Sequence, residues 1–307
     1  MRAALVATAL ATFGAPQTGH AQEPSPANES PLVAYALEQP PDESSHADSS
    51  ARNLRAALFE LERNPPPANV DCAQTLGASR FAASYQHLAS IRFERGEFEA
   101  AIEANEAALA CTPRAADVYA DIASLHVNLG RIAEARTALE RGLAIDPEDQ
   151  NLANTRARID FLEERWADAT AQFRLAIAVE PTGELADYYE CFFWLAQRRA
   201  GVRTPETPLR DVRPAAWPAP ILDMLKGRLT EAQLVEAIRK DATDARRQWL
   251  TEALYYVGEL RLAEGDVETA RRHFAAVVNL KITNYIEYGM ARAELTRLRE
   301  RVNRDQY

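Results

Sequence analysis

Apolar residues recur along the chain at intervals of three and four, which is the spacing of one face of an α-helix. Three of these apolar stretches end at a proline, at Pro113, Pro147 and Pro181, where the ring stops a helix by removing a backbone donor. Runs of Val, Ile and Thr, which favour strands, are few, and the body of the chain is rich in Ala, Leu, Glu and Arg. The pattern therefore predicts an all-α protein.

Further helices are predicted outside the proline-terminated stretches. One begins with a capping box, in which Thr230 and Gln233 satisfy each other's first-turn amides, and the others show an apolar stripe or an aromatic-rich face. They cover residues 51–64, 185–200, 230–240 and 284–302. The aromatic residues of the second could form a binding cage, but rings at helical spacing more often pack in the core.

The three prolines are 34 residues apart, which is the period of the tetratricopeptide repeat, a pair of helices joined by a tight turn. With units at 82–115, 116–149 and 150–183, small residues fall at the eighth, twentieth and twenty-seventh positions, where the two helices must cross closely. These residues are Ala89, Ala123, Ala157, Ala101, Ala135, Ala169, Ala108, Gly142 and Ala176. The register predicts a tetratricopeptide-repeat solenoid of antiparallel helix pairs, with its three clear units at 82–183.

A fourth unit is predicted at 251–284, and a capping helix follows it. Together they form a C-terminal region at 251–302. Residues 184–250 have room for modified repeats and contain a proline-rich loop. Three positions depart from the pattern: Asn105 at the twenty-fourth position of the first unit, Arg156 at the seventh position of the third, and Glu164 where the first helix of the third unit should end in a glycine. The first helix of that unit is therefore the least regular prediction.

The first residues have the features of a secretion signal. Arg2 precedes an apolar segment, and Gly19 and Ala21 are the small residues that a signal peptidase recognises. We expect a signal peptide at 1–21, followed by a disordered Pro-, Ser- and acid-rich segment at 22–50; an ordinary N-terminal helix is the alternative. No other apolar run approaches the roughly 20 residues of a membrane span, so we expect an exported, soluble protein.

Net charge argues against nucleic acid as a partner, and residue spacing argues against a metal or redox site. A formal charge of -10 opposes binding to the phosphate backbone of nucleic acids. Cys72, Cys111 and Cys191 lack the CxxC spacing of a zinc or redox site, and the sequence leaves open whether any two form a disulfide. Asp241 and Asp244 are interpreted as turn and cap residues rather than metal ligands, because no third ligand is near.

The C-terminal part of the chain is more specific than a generic repeat. It contains WPAPILDMLKGRLTEAQLVEAI from Trp217, KDATD at 240–244, YYVGELRLAEGDVETARRHFAAVV and YIEYGMARAELTRL. These runs, above all KDATD and its distance from the turn at Gly265 and Asp266, resemble the NlpI family of tetratricopeptide lipoproteins. The resemblance extends more loosely back to about residue 82 and leaves the preceding residues largely uncovered.

The resemblance implies a dimeric, all-helical adaptor of the bacterial envelope that recruits murein hydrolases and a tail-specific protease and has no active site of its own. It also favours a homodimer formed through the helix at 51–64, whose apolar stripe could instead cap the first repeat. That family has a lipobox cysteine, whereas the first cysteine here is Cys72. We therefore expect a periplasmic protein without a lipid anchor.

The sequence has no GxGxxG, P-loop, GxSxG or HExxH motif, so no catalytic residue, cofactor or metal is predicted. A protein-binding groove is predicted on the inner face of the first helix of each unit, where polar residues and scattered rings would suit an extended peptide. The groove residues are Gln86, Ser90, Phe93, Ser124, Asn128, Asn154, Arg158, Phe161 and Tyr255. The leading hypothesis is an adaptor for envelope proteins or peptides, and the alternative is a repeat module that assists outer-membrane or secretion machinery.

Overall fold

The computed structural model describes residues 30–39, 78–179, 181, 185–206, 217–240 and 245–305, together with 52, 55, 56, 58–60 and 63. The predicted signal peptide, residues 241–244 and most of the proline-rich loop lie outside these residues. Every regular element within them is an α-helix. The predicted all-α fold is confirmed.

Most of the helices are joined in pairs by tight turns. In chain order they are α1 (Pro31–Leu37), α2 (Ala78–Glu94), α3 (Phe98–Cys111), α4 (Ala116–Asn128), α5 (Ile132–Ile145), α6 (Gln150–Leu162), α7 (Trp166–Val179), α8 (Ala186–Arg199), α9 (Ala219–Leu225), α10 (Glu231–Arg239), α11 (Arg246–Ala263), α12 (Val267–Leu280) and α13 (Ile286–Asp305). The pairs α2–α3, α4–α5, α6–α7 and α11–α12 are the hairpins of the predicted repeat units. The capping box that begins α10 is also present.

Small residues lie where the helices of a hairpin cross, as the register predicts. Ala135 is fully buried, and a Cβ placed on Gly142 would lie 3.1 Å from the Cβ of Tyr119 in the same hairpin. In the last hairpin, a Cβ on Gly258 would lie 2.7 Å from the ring of Phe274. Both distances are well inside the roughly 3.5–4.0 Å at which carbon atoms pack. A larger side chain at these positions would therefore force the helices apart.

α8 carries aromatic residues into the core. Phe192, Phe193 and Trp194 are buried. Phe192 stacks on Phe173 of α7, with ring centroids 5.1 Å apart, and meets Tyr256 of α11 edge-on at 5.2 Å. The prediction that aromatic residues of this helix pack in the core is confirmed for Phe192, Phe193 and Trp194. Through Phe192 the helix connects the third repeat to the last one.

The prediction of disorder at 22–50 is wrong for residues 30–39, which contain the helix α1. It packs against α10, α11 and α12, and Leu32 is fully buried. Ser30 caps its first turn and contacts both Glu231 and His273. The backbone N–H of Leu32 also donates to Glu231 Oε1 at 3.1 Å. The run was missed because so short a helix is not stable by itself and depends on a surface far along the chain.

α13 follows the last hairpin, as predicted for the capping helix, and it also crosses the first three hairpins. Thr283, which precedes α13, donates from Oγ1 to the backbone oxygen of Glu94 at 3.3 Å. Further along, the Oγ1 of Thr296 would lie 2.9 Å from a Cβ placed on Gly130. Near its end, Arg297 and Arg301 both pair with Glu164. The last helix therefore lies across the turns of the first three units, which a repeat period cannot predict.

The helix predicted at 51–64 is described only in part. Leu58 packs against the core, whereas Phe59 is exposed. An exposed ion pair, Arg80 Nη2 to Glu60 Oε1 at 3.4 Å, links this helix to α2. The packing of Leu58 is what a helix capping the first repeat would show. The homodimer stays a prediction.

Two of the cysteines lie within the described residues, both on helices. Cys111, at the end of α3, is buried as expected and takes part in a disulfide bond. Cys191, in α8, is a fully buried free thiol, and burial raises its pKa. A neutral, enclosed thiol of this kind is a packing residue rather than a nucleophile.

Candidate functional site

Three of the predicted groove residues come together at one cavity. Ser124 of α4 and Asn154 and Arg158 of α6 line a cavity with a volume of about 540 Å³. Its other walls are provided by α8, α11, the turn after α12 and the start of α13. The first helices of the second and third repeats therefore do face a common space, as the inner-face positions predict.

Asn128 is covered by α13. It is 5% exposed, and a Cβ on Gly289 would lie 2.4 Å from its Oδ1 atom. Only a glycine at position 289 allows α13 to lie this close to α4. At this point the chain's own last helix occupies the face that was predicted to bind a partner.

Phe161 and Tyr255 were predicted to line the groove, and this is wrong because both rings are fully buried in the core. Phe161 meets Trp166 edge-on, with ring centroids 5.2 Å apart. Tyr255 lies 5.5 Å from Tyr256. The error arose because α8 packs against both positions, with the ring of Phe192 in contact with Phe161 and with Tyr255, so positions that would be open in a free solenoid are closed here.

The three groove residues of the first repeat lie apart from the cavity. Ser90 is exposed, and Gln86 is half-buried and donates from Nε2 to Asp117 Oδ2 at 3.3 Å. Phe93 is half-buried with its ring centroid 6.1 Å from that of Phe98. These side chains are open to solvent to different degrees, but the structure does not join them to the cavity residues.

Two carboxyl groups form the most unusual part of the cavity wall. Glu252 of α11 and Glu287 of α13 are 4% and 2% exposed. Glu252 Oε2 accepts from the Tyr188 hydroxyl at 3.0 Å and from the Trp217 indole N–H, while Glu287 Oε1 accepts from the Tyr256 hydroxyl at 3.2 Å. Each carboxyl is thus held by neutral donors, which fix its position without neutralising its charge.

Burial raises the pKa of both carboxyl groups, those of Glu252 and Glu287. Burial is the larger cause for Glu252 and the charge of Glu287 adds to it, which brings the pKa of Glu252 to about 8. Burial brings the pKa of Glu287 to about 7, although the Tyr256 hydrogen bond and the charge of Arg158 oppose the rise. Near neutral pH the pair therefore retains at least part of a proton that two exposed glutamates would have lost.

Arg158 and Asp121 complete the charged groups of the cavity. Arg158 donates from Nη2 to Thr155 Oγ1 at 3.0 Å, and desolvation lowers the pKa of its guanidinium. Asp121 is exposed at the cavity mouth. The concave walls nevertheless remove part of the water around its carboxyl, and this desolvation, with a smaller contribution from Asp117, raises its pKa to about 6.

Sequence reasoning missed four of the residues that define this cavity. Tyr188 and Tyr189 of α8 line it, and they belong to the aromatic run for which a cage was the less favoured alternative. A signal for Glu252 existed, since an acidic residue within the apolar run of α11 must be paired or functional. Glu287 had no such signal, because its place depends on where α13 crosses the repeats.

Glu164, the departure from the repeat pattern, anchors the far end of α13. Its backbone has a φ of +61°, in the left-handed region that glycine adopts more easily. Its carboxylate pairs with Arg297 and Arg301 of α13, and with Arg199 of α8 at 3.3 Å. The side chain that replaces the expected glycine thus provides the acceptor for three arginines, and these contacts offset the backbone strain.

A second pair of buried carboxyl groups lies between α11 and α13. Glu259 and Glu294 are both fully buried. Glu259 pairs with Arg199 and Glu294 with Arg297. Burial, and after it the charge of Glu294, raises the pKa of Glu259 to about 8. Much of the interface under α13 is therefore built from charged groups rather than from apolar side chains alone.

The described residues offer neither a metal-binding cluster nor a membrane-spanning helix. Within the part of the chain that the structure describes, no group of three His, Cys, Asp or Glu side chains is placed to hold a metal ion. Over the same residues, no helix combines the length and the apolar character needed to cross a bilayer.

Comparisons with known proteins agree with the hairpin geometry. Residues 92–159, from the end of α2 to α6, match the family model described as tetratricopeptide repeat. The solved tetratricopeptide-repeat protein YrrB, described as having an unusual peptide-binding site, is 15% identical; the match covers 76% of this chain and 96% of YrrB, with a TM-score of 0.37. A tetratricopeptide-repeat protein from Parabacteroides merdae is 13% identical, covering 86% and 90%, with a TM-score of 0.40.

A third solved structure, Naa15/Naa10 bound to HypK-THB, is 17% identical, and the match covers 88% of this chain and 34% of that one, with a TM-score of 0.35. The helix hairpins, their 34-residue period and the match at 92–159 together identify a tetratricopeptide-repeat fold in this protein.

Proposed function

We propose that this protein is a non-catalytic periplasmic scaffold that binds other proteins through the cavity on the inner face of its repeats. The observation that carries the proposal is the meeting of Ser124, Asn154 and Arg158, from two successive repeats, with the tyrosines of α8 at one open cavity. Repeat proteins of this kind bind their partners on the concave surface that successive units form.

The size and lining of the cavity support a peptide as the ligand. A volume of about 540 Å³ lies within the roughly 300–1,000 Å³ range of specific ligand pockets. Amide, hydroxyl and guanidinium groups can hydrogen-bond a peptide backbone, while the rings of Tyr188, Tyr189 and Phe192 can contact its side chains. A few residues of a partner would be held here, with α13 limiting how far the peptide extends.

Other observations support the proposed periplasmic location and the proposed partners. The secretion signal predicted at 1–21 favours export, and the disulfide at Cys111 is of a kind that persists in oxidising compartments. The resemblance of the C-terminal runs to the NlpI family favours murein hydrolases and a tail-specific protease as partners, and it also favours a homodimer. Sequencing of the mature N-terminus should begin at Gln22; recovery of the intact chain from the cytoplasm would contradict export.

Site-specific crosslinking can test the binding role. A photo-crosslinking amino acid at Ser124, on the cavity wall, is compared with the same amino acid at Glu140, which is exposed on α5. After irradiation of cells, we expect cell-wall hydrolases and a protease to be captured from position 124 and not from position 140.

Two results would contradict parts of the proposal. Capture of outer-membrane assembly or secretion components from position 124 would replace the adaptor role with a role in that machinery. Identical capture from both positions would show that the cavity is not the binding site. The same crosslinked samples also reveal a homodimer, if the captured protein is a second copy of this chain.

A further inference from the structure

We propose that the cavity is a receptor for a basic side chain, an arginine or lysine of the bound peptide, which enters between the carboxyl groups of Glu252 and Glu287 and the rings of Tyr188 and Tyr189. The inference rests on the proposed function, because it names the kind of peptide that the scaffold selects. It follows from the charge, the walls and the depth of the cavity.

The charge of the cavity favours a cation. Among the residues that line it, Glu252, Glu287 and Asp121 are acidic and Arg158 is basic. Arg158 donates to Thr155 and not to either glutamate in the contacts described. The two glutamates accept from the hydroxyl or indole groups of Tyr188, Trp217 and Tyr256, so no direct ion pair neutralises either carboxylate once it is ionised. An incoming cation would supply that pairing.

The walls favour a long basic side chain over a small ion. Tyr188 and Tyr189 are half-buried on the wall formed by α8, and Phe192 of the same helix also lines the cavity. Aromatic faces attract a guanidinium or ammonium group and also pack against the methylene carbons that carry it. The carboxyl groups lie deep, at 4% and 2% exposure, so a ligand must reach inward, as arginine and lysine side chains can.

Binding should be linked to proton release. The titratable and polar groups around the two carboxyls come from several neighbouring elements. They are Arg158 of α6, Tyr188 of α8, Trp217 before α9, Tyr256 of α11, Tyr285 before α13 and Asp121 of α4. Because the carboxyls hold protons near neutral pH, a cation that enters must displace them. Affinity for a basic peptide should therefore rise between pH 6 and pH 8, whereas an anionic ligand for Arg158 would bind less well over that range.

The experiment begins with selection of binders from a phage-displayed library of random heptapeptides on the full mature protein at pH 7.5. A selected heptapeptide is then synthesised in two forms, with its basic residue as arginine and as citrulline, which is uncharged and nearly the same shape. Affinity is measured for the wild-type protein, for Glu252→Gln and Glu287→Gln, and for Glu148→Gln, an exposed glutamate outside the cavity. Thermal unfolding of each variant checks that it is folded.

We expect selected peptides to be enriched in arginine or lysine. Citrulline, Glu252→Gln and Glu287→Gln should each weaken binding by about tenfold or more, while Glu148→Gln should leave it within about twofold. Selected peptides without basic residues, or equal binding of the arginine and citrulline forms, would overturn the inference and leave the scaffold role intact. Recovery of no peptide above background would overturn both. Because the citrulline comparison uses wild-type protein, it holds even if a variant fails to fold.

Discussion

The first three hairpins and α13 are held in place by different kinds of contact. The hairpins close over small buried residues such as Ala135, whereas α13 meets α11 at the fully buried carboxyl groups of Glu259 and Glu294, which pair with Arg199 and Arg297. Packing of small residues depends on shape alone, but a buried charge network depends on protonation. The contact between α13 and α11 should therefore depend on pH more strongly than the close packing within the first three hairpins.

The difference also bears on binding. α13 covers Asn128 and reaches Glu164, so it occupies part of the face that repeat hairpins otherwise present. The cavity between Arg158, Tyr188 and Glu287 is what remains open next to it, and α13 itself contributes Glu287 to its wall. The segment that restricts the groove thus also helps to build the site.

The largest expected effect is on the pH dependence of stability. Burial raises the pKa of Glu252 and Glu259 to about 8 and that of Glu287 to about 7, all from an ordinary value of 4.5. The folded protein therefore binds more protons than the unfolded one between pH 4.5 and the raised pKa values. Stabilisation that is complete below pH 4.5 falls progressively above it and is lost once pH has passed 7 to 8. Each such group contributes a slope of about 1.4 kcal/mol per pH unit.

Denaturant unfolding at pH 5, 6, 7 and 8 measures this slope. Glu259→Gln and Glu287→Gln should each flatten it by one group's share, whereas Glu148→Gln should not change it. His126, whose pKa is lowered chiefly by burial, works in the opposite sense but is the same in all variants. A free energy of unfolding that is equally flat in wild type and variants would contradict the pKa shifts.

A packing substitution tests the repeat side of the comparison. Ala135→Leu should lower the free energy of unfolding by roughly 1–3 kcal/mol, because Ala135 is fully buried where the helices of the second hairpin cross. The matched control is Ala133→Leu, at an exposed position of the same helix, which should change stability by less than about 0.5 kcal/mol. Denaturant unfolding at one pH compares them, and equal stability of the two variants would show that the register is wrong.

A smaller effect is expected at Glu164, where backbone strain and ion pairs can be separated. Glu164→Ala removes the contacts to Arg199, Arg297 and Arg301 but keeps the left-handed backbone, and it should cost roughly 1–2 kcal/mol. Glu164→Gly removes the same contacts and also the strain, so it should be more stable than the alanine variant by about 1 kcal/mol. If the alanine variant is the more stable one, the backbone at 164 is not left-handed in solution.

The hairpins could be predicted from the sequence because the residues that contact each other lie within one repeat period. The docking of α1 and α13 could not be predicted in the same way. Ser30 meets Glu231, and Glu164 meets Arg297, across long stretches of chain that have no common periodicity. Prediction of contacts at that separation requires knowing how the solenoid curves, which depends on the irregular region around α8 and α9.

The same distinction explains the candidate site. Ser124, Asn154 and Arg158 were predicted because inner-face positions repeat with the hairpins, and the structure places them at one cavity. Phe161 and Tyr255 were predicted by the same rule and are buried, because the chain folds back over those positions. The two buried glutamates of the cavity, Glu252 and Glu287, come from helices outside the first three units, so the period alone does not reveal them.

The most direct test of the account is whether α13 lies across the repeats in solution. The Cβ of Thr296 lies 3.5 Å from a Cβ placed on Gly130, within the range that a disulfide spans. The Gly130→Cys, Thr296→Cys variant should therefore crosslink nearly completely under mild oxidation, as seen by mass spectrometry. The control, Gly130→Cys with Val302→Cys, carries the same backbone strain, but its second cysteine lies roughly 9 Å further along the helix and should remain unlinked. Equal crosslinking of the two pairs, or none in either, would contradict the central claim that α13 occupies the inner face.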